Sequence, residues 1–101
     1  MGTGQEGTRP VAPPYRIEIK QSARKALAAL PRAMQRRVQA KIDELAENPR
    51  PAGLKKLKGP AGFLRIRVGD YRVIYCVHDD VLIVLVVRIA HRREAYRLPI
   101  A

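Results

Sequence analysis

The dipeptide Gly69-Asp70, set between two runs that alternate apolar and basic residues, constrains this chain more than any other feature. A two-residue hairpin turn with glycine first meets the type II′ requirement for a positive φ at that position. If Val68 pairs with Tyr71, Arg67 lies directly opposite Arg72, and directly opposed residues share a face of the sheet. Strand side chains alternate with period two, so Arg65 joins them. Leu64, Ile66, Val68, Val73 and Tyr75 then point the other way. A further run, Val81 to Ile89, is apolar almost throughout and reads as a central strand covered at least partly on both faces. A hairpin loop at His78-Asp79-Asp80 would bring Arg88 onto the arginine face as well.

Upstream, Tyr15 to Lys20 alternates apolar and charged residues, the pattern of a half-buried strand. Ser22 is placed to cap a helix in which Ala23, Ala26, Leu27 and Leu30 recur at helical spacing. Pro31 stops that helix and suits the first turn of the next. The second helix is expected from Arg32 to Glu47, with Met34, Val38, Ile42 and Leu45 on one stripe, and Asn48-Pro49 ends it. Arg50 to Pro60 reads as a loop carrying Lys55, Lys56 and Lys58. The expected fold is α+β with element order β-α-α-β-β-β: a mainly antiparallel four-stranded sheet with a two-helix hairpin on one face. Residues 1–14, rich in Gly, Thr and Pro, are expected to be a disordered tail. Residues 15–97 form the single domain, and 98–101 a short C-terminal tail.

Charge decides what such a domain meets. Twenty Lys and Arg face nine Asp and Glu, a formal net charge of +11. A surface of that kind favours phosphate backbones, acidic protein segments or anionic membranes. Between Arg50 and Tyr75 the only carboxylate is Asp70, so Arg65, Arg67 and Arg72 converge without acidic partners nearby. Charges alternating along a strand are ordinarily a solvated face, but directly opposed like charges destabilise a hairpin, and three guanidiniums together point to an anion. Lys55, Lys56, Lys58 and Arg88 can extend the patch as phosphate contacts. A single cysteine, Cys76, excludes a disulfide framework and a Cys-based zinc site, and two histidines make a metal centre improbable. No P-loop, dinucleotide fingerprint or hydrolase elbow is present, so neither cofactor nor metal is expected. The apolar run Val81 to Val87 is too short to span a bilayer and no signal-type segment is seen, so no membrane partner and a cytoplasmic location are expected.

The segments Leu57-Lys58-Gly59, Leu64-Arg65-Ile66-Arg67-Val68, Gly69-Asp70-Tyr71-Arg72-Val73-Ile74-Tyr75 and His91-Arg92-Arg93-Glu94-Ala95-Tyr96 resemble the RelE/ParE superfamily of bacterial toxins. The likeness runs from Tyr15 to Arg97. In the RelE branch, the resemblance implies a ribosome-dependent endoribonuclease that cuts messenger RNA in the A site and is silenced by a cognate acidic antitoxin. It also implies an antitoxin complex that touches DNA only through the antitoxin. Carried over by position, Arg65 and Arg67 match two basic residues of the family's central strand, and Arg72 its tyrosine-arginine motif. Arg92 matches the later basic position, with one residue of gap against His91, and Tyr96 the C-terminal tyrosine. Where the family has lysines, Arg65 and Arg67 stand here, and an arginine hardly serves as a general base. His91 is then the first candidate acid or base, with Tyr96 or Glu94 as others. The ParE branch implies a different outcome, inhibition of DNA gyrase by binding without nuclease chemistry. A basic RNA-binding module without activity is the third reading.

Overall fold

The computed structural model describes residues 14–94. Strand β1 (Arg16–Ile19) leads into helix α1 (Gln21–Ala28) and helix α2 (Arg32–Glu44), followed by strands β2 (Lys55–Lys56), β3 (Leu64–Val68), β4 (Tyr71–His78) and β5 (Ile83–His91). The strands form one five-stranded sheet in the order β1-β5-β4-β3-β2. β1 runs parallel to β5, and all other pairs are antiparallel. The α+β class and element order match the sequence reading, with one addition: the segment read as a loop contributes β2, a two-residue edge strand.

The helices use their apolar stripes to cover one face of the sheet. Ala23 and Leu27 of α1, Val38 and Ile42 of α2, and Leu45 just beyond meet Leu64, Ile66, Val68, Val73, Tyr75, Val84, Val86 and Ile89 in one buried cluster. Tyr75 is fully buried, and its hydroxyl donates to the Pro49 carbonyl at 2.7 Å, which satisfies the polar end of this core side chain. Burial pushes its phenol up to about 12.

Two helix boundaries differ from expectation. Ser22 does not cap α1. Strand pairing continues through Lys20, whose N–H donates to the Val86 carbonyl at 2.8 Å, and the helix begins at once, with Lys20 as its N-cap and no side-chain cap. Pro31 likewise takes the N-cap of α2 rather than its first turn, and α2 stops at Glu44 rather than Glu47.

A polar clasp closes the end of the sheet away from the Gly69 turn. Arg50 donates to both oxygens of Asp79 (3.2 and 2.8 Å), and the Tyr15 hydroxyl donates to the same carboxylate. It ties the segment after α2 and the residue before β1 to the β4–β5 connection. The Arg50 guanidinium, with the Tyr15 hydroxyl, holds the Asp79 carboxyl down at about 2, well below the ordinary aspartate value of about 3.9. A depressed folded-state value means that the clasp's contribution is complete above the unfolded value and drains as pH falls through about 2. A carbon-detected NMR titration should therefore place the Asp79 midpoint near 2 and show it rising towards the ordinary value in Arg50→Ala. An ordinary midpoint in the unaltered protein would dismiss the clasp.

Candidate nucleic-acid interface

The β3–β4 hairpin has the register the turn demands. Val68 pairs with Tyr71 and Arg67 with Arg72, while Gly69 takes φ +60°. Pairing across the sheet then sets the basic residues in two rows on the face that the helices leave open. One row runs Lys55, Arg65, Ile74, Arg88 over four strands, and the other Arg67, Arg72, Ala90 over three. Ile74 is fully buried at the floor of this cluster, between Arg65 and Arg88, and lies outside the main core.

Arg65, Arg72 and Arg88 are half-buried and Arg67 is exposed. Arg65 Nε, Arg72 Nη1 and Arg88 Nε are shut off from solvent with no hydrogen-bond partner. A buried donor left unpaired costs roughly 1–3 kcal/mol, more on a charged group. Three on one face mark a place prepared for an acceptor that the described residues do not supply. Guanidinium donors match phosphate and carboxylate oxygens in bidentate fashion, so an anion is the ligand class this face fits.

Arg88 reaches this face by a route the sequence reading did not foresee. β4 continues to His78, which pairs with Ile83, so the connection is residues 79–82 and not His78-Asp79-Asp80. The shorter loop would have turned Val84 and Val86 onto the arginine face, yet both are fully buried in the core. The register slips between Ile74 and Tyr75: Tyr75 pairs with Val86 but Ile74 with Arg88, leaving Val87 as an extra residue. This β-bulge inverts the facing of everything after it. Arg88 and Ala90 therefore stand with the arginines, and His91 does not.

His91 pairs with Tyr71 on the helix side, its ring edge-on to the tyrosine at 5.6 Å. Its Nδ1 accepts the Arg93 N–H at 3.2 Å. His91 thus stands across the sheet from the guanidiniums, at the exit of β5. The turn that follows β5 folds back on the hairpin: Arg92 N–H donates to the Asp70 carbonyl (2.7 Å), Glu94 N–H to the His91 carbonyl (2.8 Å), and Arg88 Nη2 to the Glu94 carbonyl (3.0 Å). Arg92 is held beside the turn that carries Arg67 and Arg72. Of the three lysines, Lys55 faces with Arg65, Lys56 pairs with Leu64 and faces the other way, and Lys58 is exposed beyond β2. Tyr96 lies outside the described residues.

Sequence reasoning missed Arg37 and Lys41. The Arg37 guanidinium lies against Gly69, where a Cβ would meet its Nη1 at 3.6 Å. Their one-turn spacing on α2 was the available signal, but only the hairpin's position shows that they border the basic face. Among the described residues no group of three His, Cys, Asp or Glu could hold a metal ion, and no helix is long and apolar enough to cross a membrane.

Comparison with known proteins agrees with this fold. Residues 17–96 match the family model described as ParE toxin of type II toxin-antitoxin system, parDE. The chain is 33% identical over 88 residues to RelE1 of Methanocaldococcus jannaschii, covering 84% of this chain and 98% of that protein. It is 31% identical over 85 residues to toxin RelG of Mycobacterium tuberculosis, covering 83% and 98%. Among solved structures, RelE in the archaeal RelE-RelB complex of Pyrococcus horikoshii superposes with a TM-score of 0.71 at 34% identity, covering 78% of this chain and 96% of that one.

Proposed function

Since the chain belongs to the RelE/ParE superfamily and is the toxin of a type II toxin–antitoxin system, we propose that it is a ribosome-dependent endoribonuclease that cuts messenger RNA in the A site. The observation that carries this reading is the set of buried, unpartnered guanidinium nitrogens on Arg65, Arg72 and Arg88. Cutting RNA through its own ribose 2′-hydroxyl requires removing that proton, stabilising a doubly charged phosphorane and protonating the leaving 5′-oxygen. Arg72, flanked by Arg67 and Arg65, takes the middle task, because donors already stripped of water gain most when charge develops in front of them. Arg88, Arg92 and Lys55 hold the neighbouring phosphates. The ribosome supplies the alignment of messenger and toxin that a small open face lacks.

Proton transfer falls to Glu94, in the turn beside the face, or to Tyr96, whose ring also suits stacking on an unpaired base. His91, turned to Tyr71, is left as a packing residue. His91→Ala is accordingly expected to keep cleavage within about tenfold of the unaltered protein, below the 10²–10⁴-fold that a general acid or base contributes. A larger loss with the fold intact would return His91 to the chemistry.

The chain's partner in this reading is an acidic antitoxin whose carboxylates occupy the guanidiniums that otherwise hold RNA, which blocks the face by charge mimicry. The Pyrococcus horikoshii relative is seen with RelB, in keeping with this. DNA contact belongs to the antitoxin, and a ribosomal target places the protein in the cytoplasm. The test is cleavage of a defined messenger in a reconstituted translation system, with and without ribosomes, with cut sites mapped by primer extension. Cuts at A-site codons only with ribosomes are expected. The match to a family model built on ParE toxins supports a second reading, inhibition of DNA gyrase by binding. Intact messenger together with inhibited supercoiling would establish that reading in its place.

A further inference from the structure

The basic surface does not end at the edge of the sheet. Among the described residues β2 covers β3 only at Leu64 and Arg65, and none of their strands lies beside the outer edge of β3 from Ile66 to Val68. Along that edge lies a groove between β3 and α2, made of two adjoining hollows of about 420 and 280 Å³ that share Lys41, Glu44 and Arg67. Arg37 and Gly69 border one end, and Asn48 and Gly53 the other. Arg67 belongs both to the arginine face and to this groove, so the two basic surfaces are continuous.

Three cations, Arg37, Lys41 and Arg67, and one carboxylate line it. Glu44 is engaged by Lys41 at 3.7 Å. Arg37 and Arg67 have neither ion pair nor hydrogen bond among the described residues. Arg37 and Lys41 stand one helical turn apart, which sets their Cβ atoms about 5–6 Å from each other, on the scale of a single nucleotide step. Among the described residues, a peptide adding as a strand would find Ile66 to Val68 unpaired on this edge, fewer than the five or six residues of an ordinary strand.

We infer that the groove between α2 and β3 is a second binding site for single-stranded RNA, where Arg37 and Lys41 hold phosphates of the strand that leaves the arginine face over Arg67. This rests on the reading of that face as an RNA site. The consequence is that affinity grows with strand length beyond the codon itself.

Fluorescence anisotropy separates the two claims. The probes are a trinucleotide and a longer oligonucleotide of 2′-O-methyl RNA, which lacks the attacking hydroxyl. The unaltered protein, Arg37→Gln/Lys41→Gln and Arg72→Ala are compared, with circular dichroism to verify folding; the groove substitutions are at exposed positions. The longer RNA should bind the unaltered protein about tenfold tighter than the trinucleotide, and the double variant should lose that gain while keeping trinucleotide affinity. Each phosphate held on a single strand steepens the salt dependence by about 0.7. Between about 50 and 200 mM salt, the unaltered protein should thus lose about sevenfold more affinity for the longer RNA than the double variant.

A length gain that is absent, or that survives in Arg37→Gln/Lys41→Gln, overturns the groove and leaves the face standing. Trinucleotide binding that is absent, or indifferent to Arg72→Ala, overturns both. Unchanged RNA binding with weakened affinity for an acidic peptide makes the groove a protein-docking edge, and the RNA inference falls.

Discussion

Arg72→Ala should lower ribosome-dependent messenger cleavage by about 10²–10³-fold, the usual cost of removing one preorganised donor from a developing negative charge. Arg72 sits mid-sheet between Arg67 and Ala90, with Nη1 buried and unpartnered. The same substitution ends the cross-strand repulsion with Arg67, worth roughly 0.2–1 kcal/mol, and relieves a desolvated donor. Stability should therefore hold or rise while activity collapses. Primer-extension mapping and a urea melt on the same preparation would show the two moving apart. Arg72→Lys keeps the charge but not the planar fork, and should restore only part of the rate. Cleavage by the alanine variant at close to the unaltered rate would refute the role given to this face.

Ile42→Ala should act through the fold alone. Ile42 is fully exposure-free at the centre of the helix–sheet cluster, between Val38 and Leu45 on the buried stripe. Truncating such a residue typically costs about 2–5 kcal/mol, from lost transfer energy and the cavity left behind. A domain of this size holds only about 5–15 kcal/mol in total. The urea midpoint should fall steeply with little change in slope. A midpoint shift equivalent to less than about 1 kcal/mol would mean that the helices close over the gap, contrary to a core packed at crystal density.

What could be read without coordinates was whatever local chemistry decides. The β3–β4 register follows from one glycine that must take a positive φ and from strict alternation on either side. The two helical stripes follow from spacing that only a helix brings to one side. The facing of β5 did not yield, because Val81 to Ile89 is apolar on both faces and carries no alternation to anchor a register. Its start at Ile83 and its bulge at Val87 are settled by pairing with β4 and β1, which are distant in sequence. β2 escaped notice for a related reason: two lysines have little strand preference, and their pairing with β3 makes the strand. Ser22 looked like a cap because serine caps helices in general, whereas here β1 reaches α1 with no intervening turn for a cap to close. Arg67 and Arg72 come together through the Gly69 turn, and alternation adds Arg65. Arg88 joined them on a mistaken loop and a compensating slip.

The extra residue in β5 divides that strand into two stretches with opposite numbering rules. Before it, even positions such as Val84 and Val86 face the helices; after it, odd positions such as Ile89 do. Removing Val87 outright would still leave Arg88 across from Ile74, since the residue that slips out is the one that caused the offset. A residue lost from the middle of the preceding stretch has no such cover, and would carry valines outward on its own side of the break. Insertions and deletions along β5 are therefore not equivalent. The stretch that holds the protein together and the stretch that presents its charge can change length independently only at this one position.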